Sequence, residues 1–432
     1  MVAIRPFRGL RFDTPRVGEA RDLLAPPYDV IDDAHRAELV GRSALNCARL
    51  ILPEGEGDAR YPEGRRVFDE LRERALVLDE TPSLYVYHQA FEVGGERFVR
   101  KGLICAMELT SFGEGEVRPH ERTLAGPKAD RLKLMRACDG HLELVFGMFS
   151  DPDKTWEAAL GEGLGEPVLD DDFDGAHHTL YRVSDPAICA AVQAALAERA
   201  VYIADGHHRY ETMCAFRDEL VEAGRPEAAK MGMIYLSNLD DEGLVVLPTH
   251  RIVHGLEAVD LPALLERAGD HFEISTRPLP TTAAALSDAL DPGEAGRATF
   301  GLTLPGSGSL AVLRLRADFD PNAAGLGALH PSLATLDVAL LHELILERGL
   351  GISKAAQAAK TNLKYYKSTE ASLETAASDG GKAQLVCFMN ATPVQDVVAV
   401  CDSGQVMPQK STFFYPKIPT GLVFRALSDD EG

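Results

Sequence analysis

The sequence predicts a mixed α/β (α+β) fold, and three observations carry that prediction. Leu84-Tyr85-Val86-Tyr87-His88-Gln89-Ala90-Phe91 alternates and is rich in β-formers; Gly94-Gly95 follows, then Arg97-Phe98-Val99 running into Gly102 to Met107, a hairpin signature. Val201-Tyr202-Ile203-Ala204 reads as a short buried strand that turns at Asp205-Gly206 into a helix from about His207 to Ala223. Leu333 to Arg348 reads as an amphipathic helix closed by Gly349 and Gly351.

Taken in order, the apolar run Leu142 to Phe149 adds a strand after the first hairpin. Residues 151–178 read as a connection, with Asp151-Pro152-Asp153, several glycines, and Asp170-Asp171-Asp172 as a solvated surface segment. Ser184-Asp185-Pro186 starts a helix, with a capping oxygen before a proline at the first helical position, and Ile188, Val192 and Leu196 recur at helical spacing. The helix after Gly206 keeps Tyr210, Met213, Cys214, Leu220 and Val221 mainly on one face and stops at Gly224 and Pro226. A second hairpin is expected from Met233-Ile234-Tyr235-Leu236, a turn at Asp240 to Gly243, and Leu244 to Leu247. From 258 to 325 the pattern is two helices and then strands at Ala298 to Leu304 and Ser309 to Leu315, with the run at 277–288 as a less constrained insertion. A strand at Ala383 to Met389 and a helix near Pro393 to Cys401 precede the tail, Met407 to Lys417. The expected division is an N-terminal α/β region (1–155), a core with the strand-turn-helix motif (156–257), an α/β insertion (258–330) and a C-terminal α/β region (331–432) with a closing loop of lysines and aromatics.

Composition narrows the function classes. A hydrophobic fraction of 45% and a charged fraction of 25% suit a soluble globular chain. No stretch approaches the roughly 18 uninterrupted apolar residues of a membrane span, and the start lacks the apolar core of a secretory signal, so a cytoplasmic protein is expected. Net charge of -22 repels polyanions and anionic membrane surfaces at long range and disfavours both as partners. The seven cysteines are scattered and never form C-x-x-C, so they read as reduced, mostly buried residues.

The chemistry concentrates at Asp205-Gly206-His207-His208-Arg209-Tyr210. The first N–H groups of a helix have no intrahelical partner, and the helix dipole adds positive potential there. Gly206 removes a Cβ that would hold an anion away, while His207, His208 and Arg209 add donors suited to phosphate. Three such side chains at a helix start are penalised by the dipole unless an anion sits among them. Asp205 either caps the helix or holds a metal ion on the phosphate. No Walker loop occurs. In Arg118-Pro119-His120-Glu121-Arg122-Thr123, Glu121 suits a general base, or else neutralises Arg122 or Arg131. Thr249, His250 and Arg251 follow a strand and either add donors for a phosphate or carboxylate, or satisfy loop backbone. Lys410, Ser411, Thr412, Tyr415 and Lys417 mix lysines, hydroxyls and an aromatic, as in a loop closing over a charged ligand, or else plug the C-terminus. Tyr28 and Asp29, in Ala25-Pro26-Pro27-Tyr28-Asp29-Val30-Ile31, either face a ligand or stabilise a rigid turn.

Together Ala25 to Val30, His120-Glu121-x-Thr123, Ala204 to Thr212, Pro248 to Arg251 and Pro408 to Lys417 resemble the bacterial and archaeal family known as domain of unknown function 1015, over nearly the whole chain. The Asp-Gly-His-His-Arg turn is similar to the phosphate-binding turn of the ParB/sulfiredoxin superfamily, which includes nucleotide-dependent free serine kinases. That resemblance implies a ParB/sulfiredoxin-like phosphate-binding core with additional α/β segments. It implies phosphate binding by Gly206, His207, His208 and Arg209, and Glu121 as base. On this reading His208 and Asp205 join Glu121 in catalysis, and Thr249, His250, Arg251, Lys410, Ser411, Thr412 and Lys417 hold phosphate or nucleotide. Tyr28, Asp29, His120 and Tyr415 meet the substrate. The expected cofactors are ATP or ADP with Mg²⁺, and the reaction is phosphoryl transfer to or from a small hydroxylated metabolite, free serine or phosphoserine first. A ParB-like nucleotide switch and a non-catalytic sensor of a phosphorylated metabolite are the alternatives.

Overall fold

Gly94 and Gly95 close the first hairpin at φ 62° and 84° in the computed structural model, which describes residues 2–123, 125–161, 164–225, 229–378 and 381–430. Both central residues at positive φ make the two-residue turn that matches the twist of paired strands. Leu84–Val93 and Glu96–Glu108 accordingly pair with Val93 opposite Glu96. The chain divides into two compact units: the first comprises Met1–Pro119, Thr123–Val245 and Pro416–Gly432, the second His120–Arg122 and Val246–Tyr415. Each unit draws chain from more than one of the four segments expected from the sequence.

The first unit is built on a mixed nine-stranded sheet. Its order runs Val117–Arg118, Val201–Asp205, Val145–Phe149, Met231–Asn238, Glu96–Glu108, Leu84–Val93, Ala176–Val183, Leu169–Phe173, with Ile4–Arg5 also pairing along Glu96–Glu108. Two ladders are parallel, Val201–Asp205 with Val117–Arg118 and Met231–Asn238 with Val145–Phe149. The region expected to be a connection holds a helix, Thr155–Leu160, and the hairpin of Leu169–Phe173 with Ala176–Val183. Leu169 and Phe173 face inward while Asp170 and Asp172 are exposed, so the acidic cluster charges the sheet's last strand, where unpaired backbone would otherwise recruit another chain. The second expected hairpin is also absent. Both edges of Met231–Asn238 are occupied by Glu96–Glu108 and Val145–Phe149, and Val245–Leu247 pairs outside this sheet.

Helix Pro186–Leu196 starts as its sequence dictates, the Asp185 carboxylate accepting from the N–H groups of Ala187 and Ile188. Its Val192 and Leu196 join Val86, Leu103, Ile203, Tyr210, Met213 and Trp156 in the core of this unit. Helix His207–Glu222 follows Val201–Asp205 directly; Gly224 lies at φ 80° beyond it, and Pro226 lies outside the described residues.

The second unit carries a six-stranded antiparallel sheet in the order Phe272–Pro278, Ser309–Leu315, Thr299–Thr303, Ala383–Phe388, His250–His254, Leu363–Tyr366. The run at 277–288 is ordered: it ends strand Phe272–Pro278 and forms helix Ala283–Ala289, started by the Thr282 hydroxyl accepting from Ala285 N–H. The single helix expected at Leu333 to Arg348 is broken. Leu336 adopts an extended conformation (ψ 132°), separating Pro331–Ala334 from Asp337–Leu340, and Leu341–Gly349 continues in π-helical form. All seven cysteines are buried. Among the described residues no helix is long and apolar enough to cross a membrane.

Candidate functional site

Gly206 occupies the N-cap of helix His207–Glu222 at φ 85°, ψ 31°, and no side chain caps that helix. Only glycine adopts this left-handed conformation without penalty, and it lets the chain pass from strand to helix in one residue. The first backbone bond of the helix runs from Tyr210 N–H to the Gly206 carbonyl at 2.9 Å. The N–H groups of His207, His208 and Arg209 precede that bond, at the positive end of a 16-residue helix.

Asp205 does not cap the helix. One carboxylate oxygen accepts from Arg209 Nη2 and the other from Lys417 Nζ, each at 2.6 Å. Two cations on one carboxylate leave the trio with one net positive charge beside the helix N-terminus, which favours an anion there. A magnesium ion at Asp205 would have to compete with the Arg209 guanidinium and the Lys417 ammonium for its oxygens. Among the described residues, no group of three or more His, Cys, Asp or Glu is arranged to hold a metal ion.

Arg209 is turned inward. Its side chain is 4% exposed and also donates to the Leu144 carbonyl, so it braces the turn from beneath. Burial alone would lower its pKa, but the Asp205, Glu143 and Asp29 carboxylates more than offset this and hold it above the ordinary value. His207 is buried and His208 half-buried, and the Thr212 hydroxyl donates to the His208 carbonyl at 2.6 Å. Lys417 is held by its own backbone: Gln89 Nε2 donates to the Lys417 carbonyl at 3.0 Å, and buried Arg100 donates to the Pro416 carbonyl at 2.5 Å.

Tyr28 and Asp29 lie in the same unit as this turn, and the Asp29 charge reaches Arg209. The Tyr28 N–H donates to Glu143 at 3.2 Å, and Arg131 sits 4.3 Å from the Tyr28 ring centroid while itself contacting Glu143 at 3.4 Å. Burial and the Glu143 charge push the Tyr28 hydroxyl up to about 12, so it is a proton donor in hydrogen bonds at neutral pH. Glu143 and Arg100 were missed in the sequence. The available signal for Glu143 was a lone carboxylate inside the apolar run Leu142 to Phe149.

The remaining candidates lie in the second unit. His120 Nε2 meets the Thr412 hydroxyl at 2.8 Å, and a Glu121 oxygen accepts the Lys410 N–H at 2.9 Å. Lys410 adopts φ 59°, and the Ser411 hydroxyl donates to the Pro408 carbonyl at 2.6 Å. Thr249, His250 and Arg251 are buried. His250 Nδ1 accepts the Met389 N–H at 3.1 Å, so its Nε2 carries the proton toward Thr369 at 3.0 Å; burial and neighbouring Arg251 lower its pKa to about 4. This neutral ring has both nitrogens engaged, one by the Met389 N–H and one by the Thr369 hydroxyl. Tyr415 is half-buried in this unit, whereas Lys417 lies in the first.

Asp337 opens its helix in the second unit, accepting from the Val338 N–H at 2.6 Å, and burial raises its pKa to about 7. A carboxyl whose folded pKa lies above its unfolded value stabilises the fold below the unfolded value and loses that stabilisation as pH rises through the folded one. Asp337→Asn is therefore expected to match the parent chain near pH 4 and to exceed it in stability at pH 8. Urea unfolding at the two pH values checks this, and equal midpoints at pH 8 would refute it.

Residues 4–339 match the family described as protein of unknown function (DUF1015). No curated protein matches the chain. Among solved structures, the chain is similar to a conserved hypothetical protein from Pyrococcus furiosus, at 16% identity and TM-score 0.35, covering 73% of this chain and 94% of that one. It is also similar to a free serine kinase in complex with AMP (17% identity, TM-score 0.33, 71% of this chain and 89% of that one). A third likeness is to SbnI with a C-terminal truncation from Staphylococcus aureus (9% identity, TM-score 0.34, 73% and 86%).

Proposed function

This chain belongs to the family described as protein of unknown function (DUF1015), and we propose that it transfers a phosphoryl group between a nucleotide and a small hydroxylated metabolite, with free serine and phosphoserine as the first pair to test. The observation that supports this reading is the left-handed Gly206 N-cap beside a carboxylate neutralised by Arg209 and Lys417. Phosphoryl transfer asks a protein mainly for positioning and for charge facing the transferred group. On this reading the backbone at Gly206 to His208 and the His207 and His208 rings hold the nucleotide phosphates. Asp205 and Arg209 position the turn, and Lys417 brings charge to it. Tyr28 and Asp29 attend the same turn from the short 3-10 helix Tyr28–Val30. Glu121 is the proposed base for the substrate hydroxyl, oriented by the Lys410 N–H.

Phosphorus NMR of the full chain with magnesium, ATP or ADP, and a panel of hydroxy-amino acids tests the proposal. The expected result is net transfer to or from serine, reduced about 100-fold or more in His208→Ala and in Glu121→Gln. Nucleotide binding without turnover on any substrate would replace transfer by sensing, and failure to bind ATP or ADP at all would end the reading.

A further inference from the structure

Arg251 is the most deeply buried cation of the second unit's sheet, at 1% exposure. It lies opposite Tyr365 in the pairing of His250–His254 with Leu363–Tyr366, its guanidinium carbon 5.5 Å from the ring centroid. One terminal nitrogen donates to the Thr249 carbonyl and the other to the Lys410 carbonyl at 2.9 Å. Both acceptors are formally neutral. Arg251 Nε and the Tyr365 hydroxyl are buried and meet no hydrogen-bond partner among the described residues. Among the described residues no carboxylate contacts this buried guanidinium: its hydrogen bonds go to neutral carbonyls, one donor is left over next to a ring whose hydroxyl is also unused, and the charges of Asp337 and Glu121 reach it only from beyond hydrogen-bond distance. Burial accordingly lowers the Arg251 pKa.

We infer that Arg251 and Tyr365 form an anion site in the second unit that takes the carboxylate of a small molecule. Two spare donors, one on a planar guanidinium and one on a phenol, match the two oxygens of a single carboxylate. A phosphate dianion asks for more donors and more charge. It would also face Asp337 and Glu121, whose charges reach Arg251. A monoanion neutralises the one buried cation and meets only about half of that repulsion. The observations are all in the second unit and do not depend on the phosphoryl-transfer reading. They move Arg251 from the phosphate-binding role expected in the sequence to recognition of a different anion.

Titration calorimetry on the full chain with L-serine, glycerate, ethanolamine and inorganic phosphate tests the inference. L-serine and glycerate are expected to bind, and ethanolamine, which lacks only the carboxylate, is not. Tyr365→Phe is the decisive variant, because its hydroxyl has no hydrogen-bond partner to lose among the described residues. It should weaken the carboxylates about 10-fold or more with no fall in melting temperature. Arg251→Lys, which keeps the charge but not the planar fork, should weaken them further. Three results would overturn the inference: no carboxylate binding, inorganic phosphate bound more tightly than either carboxylate, or unchanged carboxylate affinity in Tyr365→Phe. Titration of the unmodified chain with ADP tests the phosphoryl-transfer reading separately, so either idea can fail while the other stands.

Discussion

Asp205→Ala is expected to lower the free energy of unfolding by about 3–5 kcal/mol, the cost typical of removing one member of a buried ion pair. In the sequence the residue reads as either a helix cap or a metal holder, and its carboxylate answers two cations, Arg209 and Lys417, at 2.6 Å each. Arg209 is almost wholly enclosed, and with Asp205 gone it keeps the Leu144 carbonyl and the charges of Glu143 and Asp29, neither of which is an ion-pair partner of its guanidinium. A buried guanidinium without its carboxylate must draw in water or shift. Lys417 is 16% exposed and recovers part of its solvation, so Arg209 is the larger contributor. Asp205→Asn preserves shape and one acceptor while leaving the charge unanswered, so it should fall between alanine and the parent chain. Urea denaturation of the three proteins reads this order; a loss below about 1 kcal/mol in the alanine variant would place the pair among surface salt bridges of little worth.

Gly206→Ala has the next largest expected effect. An L-residue at φ 85° costs about 1–2 kcal/mol, and a Cβ there would stand 2.8 Å from Arg209 Nε and 3.0 Å from its guanidinium carbon. Arg209 cannot simply swing aside, because Asp205 and the Leu144 carbonyl hold it. Crowding of that kind adds about 1–3 kcal/mol. On the proposed function the same methyl group also keeps a phosphate from the first-turn N–H groups, so ADP affinity should drop about 10-fold to 100-fold beyond any unfolding. Calorimetric titration with ADP at a temperature where the variant is folded separates the two effects. Full ADP affinity in a folded Gly206→Ala protein would remove the turn from the nucleotide site.

Features that depend on neighbours in sequence were legible. Gly94-Gly95 between alternating runs specifies a hairpin because two positive-φ residues fit the strand twist. Asp185-Pro186 specifies a helix start because oxygen and ring each serve an N–H group that the helix leaves over. The strand ending at Asp205 and the helix opening at His207 were legible for the same reason. The strand at Leu169–Phe173 was hidden by its aspartates, because exposed charge on an edge strand has the composition of a loop. The break at Leu336 was hidden because helical spacing of leucines continues straight through it.

What the sequence determined by itself is the strand-turn-helix at Asp205-Gly206, where a glycine must sit and where a helix presents its positive end. Those are consequences of local geometry and need no distant partner. Tertiary structure decided which groups serve that end and which serve the frame. Arg209 faces inward because Asp205 and Leu144 receive it there, and Lys417 meets Asp205 because Gln89 and Arg100 hold its backbone. His120, Glu121 and Arg251 belong with Lys410 to Thr412 in the other unit, through contacts more than 100 residues apart in the chain. A charged side chain's role follows from the partner that offsets its desolvation, and partners at that separation are chosen by the fold.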